Sequence, residues 1–247
     1  FRNWGGSFLW MTMLAGVVRA VFKLDKTRTL YLFWLGFYFM ALVTSNDFFI
    51  RYTLLLVPFL LILAADVLIS GIRNSKPVLK YATWILTVVT IVFMGYYSTV
   101  ITTSLASEDP RITAKQWFEN NVEPGATVGM MTSSTGMQQR DDPPIDPDNY
   151  DMFTSKSISE IIKQQPEYVL ISRYDYIDYI RVGEKSEFTR DSFIILQKLR
   201  SGETDYERIN VFDNSPTLFG SNLLGTFPIH DMMYTFPRIE IYKLTSD

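Results

Sequence analysis

The 247-residue chain has no cysteine and a single histidine, His230. Without cysteine there is neither a disulfide framework nor a thiolate metal site. It also lacks a Gly-rich phosphate loop and a His-x-x-x-His pair, so nucleotide cradling and helix-borne zinc chemistry have no signature here. His230 has no identifiable partners for a catalytic role. Charged residues are scarce, at 20%, against 47% hydrophobic and 15% aromatic residues. That composition excludes an intrinsically disordered chain. A net charge of -3 gives no reason to expect a nucleic-acid partner. No cofactor and no metal are expected.

What is present is unevenly distributed. Residues 1–102 carry 9 Lys+Arg and 3 Asp+Glu, whereas residues 103–247 carry 14 and 23. The first part is therefore basic and the second acidic, which predicts two domains, 1–102 and 103–247.

Four apolar stretches fill the first part. Trp4–Phe22 is broken only by Arg19, Leu30–Val43 is uncharged but short, Tyr52–Ile72 holds only Asp66, and Tyr81–Ile101 holds no charge. A bilayer core needs about 20 apolar residues in helical form. The first, third and fourth stretches meet that length, and the second does so only if extended toward Ile50. The expectation is about four transmembrane helices, near 4–22, 30–45, 52–72 and 81–101. The opening stretch has no leading Met and no small-residue cleavage site, so it reads as a span of a longer protein's fragment rather than a signal peptide.

Lys/Arg bias in short loops predicts orientation. Lys23, Lys26 and Arg28 follow the first stretch; Arg73, Lys76 and Lys80 follow the third. Both loops are expected in the cytoplasm. The turn Ser45–Arg51 and everything after Ile101 would then lie outside, as in an integral membrane protein with an extracytoplasmic domain.

The second part reads as a small α/β domain. Ser104–Glu108 is a polar linker. Asp109-Pro110 has the form of an N-cap followed by Pro at the first helical position, and Ala114, Trp117, Phe118 and Val122 make one apolar face. Ala126–Met131, Tyr168–Ile171, Tyr206–Phe212 and Arg238–Leu244 read as strands. Ser157 and Glu160 have the spacing of a capping box, and residues 188–200 form a helix stopped near Gly202. Early alternation of helix and strand predicts a partly parallel sheet.

Several residue groups invite chemistry. Asp141, Asp142, Asp146, Asp148 and Asp151 crowd the loop at 133–151. They lack the ordered spacing and central glycine of a calcium loop, and a solvated loop is favoured. Tyr174, Tyr176 and Tyr179 suit stacking on sugars, a place at a membrane interface, or packing within the domain. Asp66 reads as the structural partner of Arg19, with ion coupling as the sharper alternative. Arg51 opens the third span on the outer side, where a guanidinium can pair bidentately with a phosphate at the membrane surface.

Arg51-Tyr52, then Pro58 and Asp66 in a leucine-rich span, resembles the Arg-Tyr-x-x-x-x-x-Pro stretch of GT-C type membrane glycosyltransferases. The nearest resemblance is to the dolichyl-phosphate-mannose-protein mannosyltransferase and aminoarabinose-transferase-like group. Asp109-x-Arg111, Trp117, Asn121 and Pro124-Gly125 follow in that group's order, as do Pro166-Glu167-Tyr168-Val169-Leu170 and Phe236-Pro237-x-Ile239-Glu240-Ile241-Tyr242. The resemblance covers roughly residues 45–247. It implies a partial GT-C-like helical bundle, a polyprenyl-phosphate-linked sugar donor and an acceptor on the outer face. It implies Arg51 as the contact for the carrier phosphate, with Asn46 and Asp47 from the same turn as further substrate-binding candidates. The family's catalytic acid lies in an early external loop, so no catalytic residue is assigned within this chain. The alternative is a non-enzymatic membrane protein: a transporter part, a membrane-anchored external binding domain, or a non-catalytic partner in glycan assembly.

Overall fold

In the computed structural model, the described residues are 7–44, 50–73, 76–131, 145–183, 187–218, 220–223 and 230–245. Contacts divide the chain into two units, Phe1–Ile101 and Thr102–Asp247.

The first unit is helical. It comprises α1 (Ser7–Phe22), α2 (Lys26–Thr44), a 3-10 segment at Ile50–Leu55, α3 (Val57–Ile72) and most of α4 (Pro77–Ala106). Pro58 lies in the first turn of α3, where its missing N–H leaves no helical bond unmade. Helices α1 and α3 pack closely. A Cβ placed on Gly16 would come within 2.5 Å of the Leu63 backbone, so only glycine permits this approach. Arg19, one turn further along α1, bonds Asp66 and Ser70 of α3. Matched advance along both helices means that α1 and α3 run in parallel.

Among the described residues, two helical segments, Thr53–Ile72 and Pro77–Asn121, are long and apolar enough to cross a membrane. The second takes in α4 and the polar α5 (Pro110–Asn121). At 1.5 Å per residue, α4 alone extends about 45 Å. The apolar helix Leu9–Phe22 is shorter than a span, and α2 begins with Lys26 and Arg28. Among the described residues, two of the four spans expected from the sequence therefore meet the length and polarity criteria. Large apolar side chains on these helices face outward, with Phe22 84% exposed, Val78 81% and Phe33 68%. Such a surface needs an apolar solvent or partner.

The second unit is an α/β domain. After α5 come β1 (Thr127–Met131), β2 (Asp151–Ser155), α6 (Ile158–Lys163), β3 (Tyr168–Ser172), α7 (Arg173–Val182), α8 (Glu187–Ser201), β4 (Tyr206–Asp213), the short pair β5 (Thr217–Leu218) and β6 (Ser221–Asn222), α9 (His230–Thr235) and β7 (Arg238–Leu244). The main sheet has the order β2-β1-β3-β7-β4. β2, β1 and β3 are mutually parallel, and β7 is antiparallel to both β3 and β4. A mixed sheet results, consistent with the partly parallel arrangement expected from the order of elements.

Both faces of the sheet are covered. Alternate residues Val128 and Met130, Tyr168 and Leu170, and Ile239 and Ile241 pack with Ala114, Phe118 and Val122 of the α5 side. The intervening Met131, Val169, Ile171 and Tyr242 pack with Ile158 and Ile161 of α6, Tyr176 of α7, and Leu196 and Leu199 of α8. The strand period of two thus feeds two cores.

Local signals set several of these boundaries. The Asp109 carboxylate accepts the Arg111 backbone N–H at 2.9 Å, with Pro110 at the first helical position. Gly202, with φ +76°, follows the last residue of α8. The expected capping box at Ser157 and Glu160 does not form. The Ser157 hydroxyl instead lies 3.0 Å from that of Ser192 in α8, and the Glu160 carboxylate accepts the Ser155 hydroxyl of β2. A reciprocal capping box occurs at Ser172 and Asp175, at the head of α7. The expected linker at Ser104–Glu108 is partly helical, because α4 runs on to Ala106.

Candidate functional site

Asn46 and Asp47, two of the three expected substrate-binding residues, lie outside the described residues. The backbone of Arg51 sits in the 3-10 segment Ile50–Leu55, two residues before the apolar segment Thr53–Ile72 begins. Its side chain lies outside the described part of the structure. Position in the chain and backbone conformation are therefore what bear on a phosphate contact at Arg51.

Asp66 is described in full. Its carboxylate accepts Arg19 Nε at 3.0 Å and Arg28 Nη2 at 3.1 Å. Arg19 Nη2 also donates to the Ser70 hydroxyl at 2.5 Å. Arg28 Nη1 donates to Asp25 at 2.6 Å and to the Lys23 carbonyl at 3.0 Å. Three helices thus meet at one carboxylate. The Asp66–Arg19 pair agrees with the structural reading; Arg28 is the addition. Two guanidiniums on one carboxylate satisfy it as a structural ion-pair centre joining α1, α2 and α3.

Among the described residues, a dense polar cluster lies in the sheet domain. Glu240 is fully buried on β7. Its Oε1 accepts Arg200 Nη2 at 2.6 Å, Arg238 Nε at 2.9 Å and the Tyr176 hydroxyl at 3.0 Å. Its Oε2 accepts the Tyr242 hydroxyl at 2.7 Å. Arg200 also stacks over the Tyr176 ring, 4.1 Å from its centroid. The network continues through Arg238 Nη1 to Asp213 at 3.2 Å, and Arg173 Nη2 reaches the same Asp213 oxygen at 2.8 Å.

Electrostatics follow from this geometry. Burial alone would raise the Glu240 carboxyl. Donation from Arg200 and Tyr242, with the positive field of Arg200 and Arg238, outweighs it and holds the group at about 2. Burial and the adjacent Glu240 charge push the Tyr176 hydroxyl up to about 12. Burial and the same charge push Tyr242 up as well. Glu240 is a saturated anion and its two phenols are fixed donors. The cluster ties α7, α8, β4 and β7 together and leaves Glu240 without a free oxygen for catalysis.

The remaining candidates resolve individually. Tyr176 is buried, and Tyr179 donates to the Lys156 carbonyl at 2.7 Å, so both belong to domain packing. Asp141 and Asp142 lie outside the described residues. Asp146 accepts the Asp148 backbone N–H and shapes a turn, while Asp151 opens β2. Ile145 and Tyr150 of the same loop are core residues, and the Tyr150 ring meets Phe118 edge-on at 5.1 Å. His230 begins α9, and its side chain lies outside the described part. Among the described residues, no three His, Cys, Asp or Glu side chains come together to hold a metal ion.

The Glu240 cluster was not singled out from sequence as a polar centre. Alternation in Arg238-Ile239-Glu240-Ile241-Tyr242 does separate the isoleucines from the polar residues. It places Glu240 opposite Ile239 and Ile241, on a face that looks solvent-directed until helices are known to cover it. Comparison of the chain with known protein families, characterised proteins and solved structures returns no match.

Proposed function

We propose that this chain is the C-terminal part of a GT-C type glycosyltransferase that uses a polyprenyl-phosphate-linked sugar on the outer face of a membrane. The single observation carrying the reading is Arg51, standing at the head of the apolar segment Thr53–Ile72. There a guanidinium meets the depth of lipid phosphates and stabilises the negative charge that builds on a departing carrier phosphate. Support also comes from the outward-facing apolar side chains of the first unit, and from the order of motifs shared with the resembled group. The full set of spans and the external placement of the sheet domain belong to this proposal. The acceptor is an unspecified group on the outer face. An Asp or Glu in an early external loop, encoded upstream of Phe1, is a further requirement.

The transporter reading leaned on Asp66 as a relay. Its pairing with Arg19 and Arg28 favours a structural role instead.

Binding of polyprenyl phosphate to the intact detergent-solubilised protein tests the proposal. Charge-assisted hydrogen bonds contribute about 1.5–3 kcal/mol each, so Arg51→Ala should weaken binding roughly 10- to 100-fold. Transfer from polyprenyl-phosphate mannose, as a probe donor at limiting concentration, should fall in parallel. Unchanged carrier binding in the variant removes Arg51 from the site.

A further inference from the structure

The α1–α2 and α3–α4 connections lie at one end of the helical unit. Arg19 near the end of α1 bonds Ser70 near the end of α3, and Arg28 at the start of α2 bonds Asp66. Gly71 is packed against Thr83 of α4. Between residues 19 and 28 and residues 66 and 80, this end carries seven basic side chains and two acidic ones.

The two acids are already committed. Asp66 is held by Arg19 and Arg28, and Asp25 by Arg28. Those two arginines fix the shape of the end and are not free for a ligand. Lys23, Lys26, Arg73 and Lys80 are exposed, and among the described residues their side chains make no ion pair. Large apolar side chains stand directly beside them: Phe22 and Leu24 flank Lys23, and Val78 and Leu79 precede Lys80, all exposed. Exposed cations alternating along the chain with exposed apolar side chains match a surface that is anionic at the level of its headgroups and hydrocarbon just beneath.

We propose that this end of the helical unit binds anionic phospholipid headgroups through Lys23, Lys26, Arg73 and Lys80, with Phe22, Leu24 and Val78 set among the acyl chains. The four cations meet phosphate oxygens, and the Arg73 fork is the one suited to bidentate pairing. Excess positive charge makes a zwitterionic lipid the poorer occupant. The site stands apart from the glycosyl-transfer reading, and either can fail without the other.

The test reconstitutes the full chain in nanodiscs of equimolar phosphatidylglycerol and phosphatidylcholine, and measures retained lipid by native mass spectrometry. One basic side chain near an anionic surface strengthens association about fivefold. We expect at least ~10-fold enrichment of phosphatidylglycerol at low salt. It should collapse toward unity between ~0.01 M and ~1 M salt, as the Debye length shortens from about 30 to about 3 Å. The quadruple variant Lys23→Gln, Lys26→Gln, Arg73→Gln, Lys80→Gln should lose the enrichment, and Lys23→Gln with Lys26→Gln should lose part of it. An unenriched wild-type protein, or an enrichment indifferent to salt, overturns the proposal without recourse to any variant. Full enrichment in the quadruple variant places the lipid elsewhere and also overturns it.

Discussion

Glu240 shows how one residue sets the character of the sheet domain. Removing a carboxylate from water costs several kcal/mol, and only close, well-directed partners offset it. Here two guanidiniums and two phenols converge on it. Glu240→Gln would leave Arg200 and Arg238 without their shared anion, an expected loss of about 3–5 kcal/mol. Reduced hydrogen-exchange protection of β4 and β7 would report it. Its pKa falls from the ordinary 4.5 to about 2 in the folded state. A depressed carboxylate contributes stability that is complete above the unfolded value and lost as pH falls toward the folded one. The domain should therefore weaken between about pH 4.5 and pH 2, by on the order of 3 kcal/mol from this group. In Glu240→Gln the slope of stability within that window should flatten; an equal slope in both proteins would assign the acid lability to other carboxylates.

At the scale of elements, close packing and end chemistry decide which segments hold together. The α1–α3 contact depends on Gly16, whose Cβ position is occupied by the Leu63 backbone. Overpacking a tight contact typically costs about 1–3 kcal/mol, and backbone atoms cannot swing aside as a side-chain tip can. Gly16→Val is expected to separate α1 from α3 and break the Arg19–Asp66 pair. Cross-linking between cysteines introduced at Met13 and Leu60 would read this as a drop in yield relative to the glycine parent. Local end signals were legible where nothing distant competes. Asp109 caps α5 because both donors that reach it, the Arg111 backbone N–H and the Arg111 guanidinium, lie only two residues on. Ser157 and Glu160 have the right spacing, but Ser192 and Ser155 reach them first. The Ser172–Asp175 capping box was legible in principle, since the pattern is local.

For the whole molecule, the outward apolar surface of α1–α4 is the dominant physical fact. Burying apolar area yields about 25 cal/mol per Å², and leaving this much in water would make the chain aggregate. Among the described residues, two segments have the length and polarity of membrane spans. The protein should stay with the membrane pellet after alkaline carbonate extraction and leave it only with detergent. Recovery in the carbonate supernatant would show that the apolar helices are covered by protein rather than lipid.

Sequence by itself determined what depends on neighbours along the chain. Apolar runs announced the helices of the first unit and the buried strands read at 126–131 and 168–171, and the strands read at 206–212 and 238–244 also lie within a residue of the observed elements. Proline, glycine and Asp109 marked ends. The tertiary structure decided what depends on residues far apart. It added the edge strand β2, whose five residues carry too short an alternation to stand out from the preceding loop. It covered both faces of the sheet and so turned Glu240 from an apparent surface carboxylate into the buried centre of an ion network. It also brought Arg28 to Asp66 beside Arg19. Periodicity reports which side chains share a face, whereas burial and charge pairing are set by whatever the rest of the chain places against that face.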